Sequence, residues 1–252
     1  MSAPEITLAE VAVWHGREPA VRGVTGRFAP GSMTAIVGPN GAGKSSLLRA
    51  LAGLAGRDGT SRLEGRIACG GLDAGRIAYL PQQAGLDRRF PITCAELAAS
   101  GLWPRVGPFA AVPGAAQARI AEALDAVGLA GFAHRPIAGL SLGQFQRALF
   151  ARLLLQDAPV LLLDEPFAAL DLRTTSDLLA LLRRLHAAGR TVIAVLHDVA
   201  MVQAHFPECL LLAREPVAWG PTGRVLTAAN RLRARLLAEA WEEREAAGAR
   251  AA

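Results

Sequence analysis

One lysine stands in the whole sequence, and it stands inside a run suited to holding phosphate. Gly38, Pro39, Asn40, Gly41, Ala42, Gly43, Lys44 and Ser45 fit the spacing G-x-x-x-x-G-K-[ST]. Glycines so placed let the backbone curl until successive N–H groups face one anion. Lys44 then reaches the outer phosphates, and the Ser45 hydroxyl is a hard oxygen ligand for Mg²⁺. Every other fixed cation in the chain is an arginine. A guanidinium is bulky and forked, whereas an ammonium is a compact charge with rotatable donors, so a site that keeps lysine here needs that compactness.

Two further groups complete a chemistry. The apolar run 160–163 ends in Asp164 and Glu165. Carboxylates just past a buried strand lie where open α/β sheets bind ligands. Asp164 is placed to hold Mg²⁺, mostly through water, and Glu165 to polarise an attacking water. A pair of acids ending a strand is unremarkable alone; with a phosphate loop upstream it acquires a role. His197 closes the next buried run, at the same end of the sheet. Its imidazole is placed to hydrogen-bond a terminal phosphate and to orient Glu165 and the water. His134, His186 and His205 have no such placement.

These residues need a scaffold, and the hydrophobic periodicity supplies one. Alternating or β-branched runs predict strands at 6–13, 24–28, 33–37, 67–69 and 77–80. Helical spacing over 45–54 follows the phosphate run, with Gly56 as its stop. From about 84 the composition turns rich in Ala and Leu with Pro and Gly breaks. At least two helical patterns occur there, one over 116–127 ended by Gly128. The run at 160–163 is apolar at every position, as strands buried on both faces are, and 191–196 reads as another buried strand. The helix between them carries Leu178, Leu182 and Leu185 and stops at Gly189. Strands alternating with helices imply right-handed crossovers and a parallel sheet. A last helix is predicted over 232–244, with a small polar tail.

Composition excludes several classes. The chain has 252 residues, 52% of them hydrophobic, enough for a large core. No stretch reaches the roughly 18 apolar residues of a membrane span, and the first residues do not read as a signal peptide. Cys69, Cys94 and Cys209 are scattered, which fits a reducing compartment rather than a disulfide framework. The net charge is +5, and the arginines are spread out apart from Arg231, Arg233 and Arg235. No nucleic-acid reading motif accompanies them, so no nucleic-acid partner is expected.

The combined set Gly38 to Ser45, Gln82, Leu140 to Gln144, Asp164, Glu165, Asp171 and His197 resembles the ATP-binding subunits of ABC transporters. The resemblance runs from about residue 6 to 226. It implies an α/β P-loop NTPase fold of ABC type. That fold has a RecA-like parallel-sheet core with an antiparallel β subdomain (about 1–83 and 155–226) and a helical subdomain (about 84–154). Residues 227–252 are left as a C-terminal helix and tail. ATP and Mg²⁺ are the implied ligands. Ser46 belongs with the phosphate loop, and Gln82 is implied as a Mg²⁺ and water sensor, with Gln83 its neighbour and competitor. Ser141, Gly143 and Gln144 are implied to contact ATP held by a second copy in a head-to-tail dimer, with Asp171 at the seam. The signature carries Leu142 where glycine is commonest. The aromatic that stacks on adenine aligns with His15, beside Trp14.

With no membrane span, such a subunit works on a separate membrane permease from the cytoplasmic face, as a peripheral protein. The segment 87–93 and its continuation 97–101 resemble subunits serving bacterial zinc and manganese importers. Zinc is favoured within that group, and a periplasmic or surface metal-binding protein is an indirect partner. Subunits for iron-siderophore or haem uptake share parts of the likeness, and an exporter subunit is a further alternative. A soluble ABC ATPase acting on nucleic acid or ribosomes is the remaining one.

Overall fold

The protein is described here from a computed structural model, over residues 3–57, 59–70, 76–82, 86–107, 114–168 and 170–251. Six strands form the central sheet: β3 (Met33–Val37), β5 (Ile77–Leu80), β6 (Val160–Asp164), β7 (Thr191–Val195), β8 (Glu208–Ala213) and β9 (Glu215–Pro221). Their order is β5-β6-β7-β3-β8-β9, parallel except for the hairpin partner β9. Alternate residues of each parallel strand enter different cores. Ile36, Leu162, Ile193 and Leu210 face one side, and Ala35, Leu161, Val192 and Leu211 the other. A strand covered on both faces has no polar side to show, which is why these segments read as mainly apolar runs without polar alternation.

One face is covered by α1 (Lys44–Leu51) and by a small antiparallel sheet. That sheet holds β1 (Ile6–His15), β2 (Glu18–Phe28) and β4 (Ser61–Ala68) in the order β2-β1-β4. The other face is covered by helices. α2 (Cys94–Ala99), α4 (Gly114–Ala126) and α5 (Leu142–Gln156) pack on one another, with the short α3 (Trp103–Val106) beside them. α6 (Leu172–Ala187) bridges β6 and β7, and α7 (Val199–His205) and α8 (Thr222–Val225) flank β8 and β9.

The last helix, α9 (Ala228–Ala251), lies on β8 and β9 and buries Ala234. It starts four residues before the predicted 232. α1 ends at Leu51, not at the Gly56 stop, because Gly53 already takes the left-handed conformation (φ 69°). Gly128 (φ 71°) and Gly189 (φ 84°) end their helices as expected. β8 and β9 are elements for which the sequence offered no expectation. Among the described residues no helix is long and apolar enough to cross a membrane.

Candidate functional site

The phosphate-type run leaves β3 at its carboxyl end and enters α1. Two of its glycines are required by contact. A Cβ on Gly38 would lie 1.9 Å from the Leu212 carbonyl oxygen, and one on Gly43 would lie 2.1 Å from that of Ala20, with φ at 82°. The loop is therefore wedged between the β8 end and the β1–β2 hairpin, and it opens a cleft of about 410 Å³. Asn40, Gly41, Ala42, Gly43, Lys44, Ser45 and Ser46 line that cleft with His15, Gln82, Glu165 and His197. Gly38 and Pro39 stand behind it, their carbonyls accepting from Lys44 Nζ at 3.0 and 2.8 Å.

The structure gathers the polar and charged groups at the carboxyl ends of β5, β6 and β7. Ser45 Oγ donates to Asp164 Oδ1 at 2.9 Å. Gln82 Nε2 donates to Glu165 Oε2 at 2.8 Å, and His197 Nε2 lies 2.5 Å from Glu165 Oε1. Glu165 takes a left-handed backbone (φ 48°), rare for a non-glycine, and its N–H reaches the Val195 carbonyl at 3.2 Å. Such strain persists only where the surroundings fix it, and it concentrates at functional sites. Here it turns the carboxylate from the line of β6 toward His197 at the end of β7.

Burial pushes the Lys44 ammonium below the usual lysine range, opposed by Glu165 and Asp164. Burial likewise pushes the Asp164 carboxyl up, partly offset by the Ser45 hydrogen bond. Each shift disfavours the group's own charged form. Each is reversed by complementary charge, an anion beside Lys44 and a cation beside Asp164. A hydroxyl and a carboxylate are hard oxygen donors suited to Mg²⁺ bound with phosphate. The residues present therefore fit a magnesium–nucleotide.

The structure separates His15 from Trp14. His15 lines the cleft, with Nε2 3.0 Å from Ser46 Oγ. Trp14 turns instead to β4, where its Nε1 donates to Glu64 Oε2 at 2.9 Å and Arg62 stacks on its ring. Gln83 lies outside the described residues.

Leu140 to Gln144 occupy a different place. Ser141 caps α5, accepting from the Gln144 N–H at 3.2 Å, while Gln144 Oε1 accepts from the Ser141 N–H at 3.0 Å. Leu142 begins the helix without disturbing that capping box and leaves its side chain exposed. Asp171 caps α6 through the Thr174 N–H at 2.8 Å. Ser141, Gly143, Gln144 and Asp171 share a second hollow of about 270 Å³, which has no lining residue in common with the first.

Four contributors escaped sequence reasoning. The Tyr79 hydroxyl hydrogen-bonds Asp164, and burial with that carboxylate's charge raises its pKa. Arg147 ties α5 to Thr174 and to the Val127 carbonyl. Arg88, in the segment 87–93, donates to the Leu140 carbonyl and stacks on Phe145. Arg214 lines the cleft just beyond β8. Tyr79 was visible as the residue three before Gln82, and Arg88 lay within the segment 87–93; Arg147 and Arg214 had no motif to mark them.

The model of a family described as ABC transporter matches residues 21–168. The manganese transport system ATP-binding protein MntB of Listeria monocytogenes is 38% identical over 213 residues, spanning 82% of this chain and 86% of its own. The zinc transport system ATP-binding protein TroB of Treponema pallidum is 35% identical over 87% of this chain and 82% of its own. The hemin import ATP-binding protein HmuV of Streptomyces coelicolor is 42% identical over 81% and 73%. Among solved structures, an ABC transporter of metal-chelate type in an inward-facing conformation superposes with TM-score 0.77. It has 27% identity and covers 91% of this chain and 87% of that one. The phosphate loop, the carboxylate pair at the β6 end and the fold agree with that match, and the chain belongs to the ABC transporter family, as an ATPase whose turnover is coupled to transport.

Proposed function

We propose that this chain is the ATP-hydrolysing subunit of a bacterial importer of divalent metal ions, with zinc favoured and manganese its competitor as cargo. Relatives named for manganese and zinc transport, matched along most of their length, support the cargo class. The observation that carries the chemistry is the Gln82–Glu165–His197 chain of contacts beside the Lys44 loop. Lys44 and the loop amides hold the phosphates, and Ser45 and Asp164 hold Mg²⁺, which neutralises charge on the outer phosphates. Glu165 accepts a proton from the attacking water. His197 fixes that carboxylate and steadies the terminal phosphate. Gln82 reports the state of the carboxylate to the segment that leads into α2. His15 covers the nucleoside end.

Each site takes its second half from another copy of the chain. Ser141, Gly143 and Gln144 stand in a hollow separate from the cleft, so they serve a nucleotide held elsewhere. Leu142 is 53% exposed and Leu172, next to Asp171, is 90% exposed. Two apolar side chains left in water beside the signature and Asp171 suit a seam that a head-to-tail dimer closes. The helical insertion from about 84 to 140 is the docking surface for a separate permease, and the chain works at the cytoplasmic face of the membrane.

Metal content of starved cells lacking the chain, rescued with the parent or with Glu165→Gln, tests the cargo. A zinc deficit cured only by the parent supports zinc import, and a manganese deficit moves the cargo to manganese. The HmuV likeness makes haem the second reading, favoured if neither metal changes and haem-dependent growth fails.

A further inference from the structure

The parallel strands present their carboxyl ends in a row. Gln82 follows β5, Glu165 follows β6, His197 follows β7 and the Lys44 loop follows β3. The next strand in that row is β8, and the residue that follows it is Arg214. Ligands of open α/β sheets bind beyond carboxyl ends of strands, and Arg214 lines the same cleft. Its backbone is locked there, with φ at 59°, its N–H donating to the Ala42 carbonyl at 3.0 Å and its carbonyl accepting from the Arg22 N–H at 2.7 Å.

The guanidinium has a support of its own. Arg214 Nη1 lies 3.4 Å from the Pro19 carbonyl, and Cζ lies 5.4 Å from the ring centroid of Trp241 on α9. Arg22 stacks on the same ring at 4.7 Å and is anchored by Glu215 at 2.7 Å. Trp241 thus gathers two arginines beside the cleft. Among the residues lining the cleft, Lys44 and Arg214 are the fixed cations, and Glu18 and Glu165 the fixed anions. A nucleotide polyphosphate needs more positive charge than Lys44 alone supplies.

We propose that Arg214 is a nucleotide-binding residue, contacting the nucleoside-proximal phosphate, and that Trp241 of the C-terminal helix is its positioning residue. β8 lies on the opposite side of β3 from β6 and β7, so Arg214 stands away from the terminal phosphate that Glu165 and His197 attend. The inference rests on the nucleotide role proposed for the Lys44 cleft.

Nucleotide affinity of the full chain, measured by calorimetry with ATP and with ADP, tests it. Arg214→Gln should weaken both nucleotides by the same factor, about 10- to 100-fold for one charge-assisted contact. Trp241→Ala should reproduce part of the loss, Trp241→Phe should restore it, and Trp241→Ala added to Arg214→Gln should cost nothing further. Loss confined to ATP overturns the proximal contact. Unchanged affinity in a folded Arg214→Gln, with binding lost in Lys44→Ala, overturns this inference and leaves the cleft assignment standing. Unchanged affinity in both variants overturns the cleft assignment itself. Additive losses in the double variant remove Trp241 from the role.

Discussion

Replacing Glu165 by glutamine isolates one property of the site. The amide is nearly isosteric with the carboxylate, and both residues meet the same constraint at φ 48°, so the backbone has no reason to relax. Glu165 bridges two partners, Gln82 Nε2 at 2.8 Å and His197 Nε2 at 2.5 Å. A glutamine offers an oxygen to one and an N–H to the other. The Gln82 amide can turn its oxygen toward that N–H, or His197 can shift its proton, so the bridge survives in a rearranged form. What disappears is the proton acceptor. General-base catalysis contributes on the order of 10²- to 10⁴-fold, about 3 to 5 kcal/mol of barrier. Single-turnover hydrolysis with radiolabelled ATP should slow by that factor. Nucleotide affinity should stay within about threefold, and sedimentation should show an ATP-bound dimer accumulating. Hydrolysis within threefold of the parent would place the base elsewhere, and a loss of binding equal to the loss of rate would mean that the bridge, not the base, had been removed.

Other expectations concern the scaffold around this chemistry. Gly43→Ala sets a Cβ 2.1 Å from the Ala20 carbonyl oxygen at φ 82°, whereas Gly41→Ala meets nothing within 4 Å at φ 74°; urea unfolding should show about 1 kcal/mol lost for Gly41→Ala and clearly more for Gly43→Ala. Ser141→Ala removes the α5 cap and should cost about 1 kcal/mol of stability, with steady-state hydrolysis lost far beyond that while ATP still binds the isolated chain. Hydrogen bonds from the Thr174 N–H and hydroxyl hold the Asp171 carboxyl below the usual range. The stability it contributes is complete above its unfolded pKa and is lost as pH falls through the folded one, so Asp171→Asn should lower stability at neutral pH and flatten the acid limb of a thermal-melt series.

The sequence was most legible where burial leaves one answer. β3 and β5 agree with their runs residue for residue, and β6 and β7 within one, because burial leaves mainly apolar side chains in them, with Thr34 and Thr191 the buried polar exceptions. β1 was harder to phase. A bulge at Glu10 (φ 48°), held by Thr25, breaks the alternation, so counting from Ile6 does not say whether Trp14 or His15 faces the cleft. β9 escaped because its prolines and glycine resemble a turn, and they are tolerable only because it is the edge partner of β8. Arg214 escaped with it. Its placement depends on a left-handed residue between two strands and on a helix beginning fourteen residues later, neither of which leaves a local pattern.

Strand register explains how so many distant residues meet. Leu80 pairs with Leu163, Asp164 with Val195, and Ile36 with Val195, so the ends of β5, β6, β7 and β3 finish at one level. Gln82, Glu165, His197 and the Lys44 loop follow those ends within a few residues. Sliding one strand by a single residue would carry its group about 3.3 Å along the row and turn the strand's side chains to the other face. No contact within the site resists that slide strongly, since each functional side chain holds its neighbours through one or two hydrogen bonds. The resistance comes from below, where Leu162, Ile193 and Ile36 would leave one core and enter the other. The apolar runs therefore do more than stabilise the fold. They set the distance between Gln82, Glu165 and His197, so on the proposed roles the geometry of hydrolysis is fixed by residues buried beneath the site.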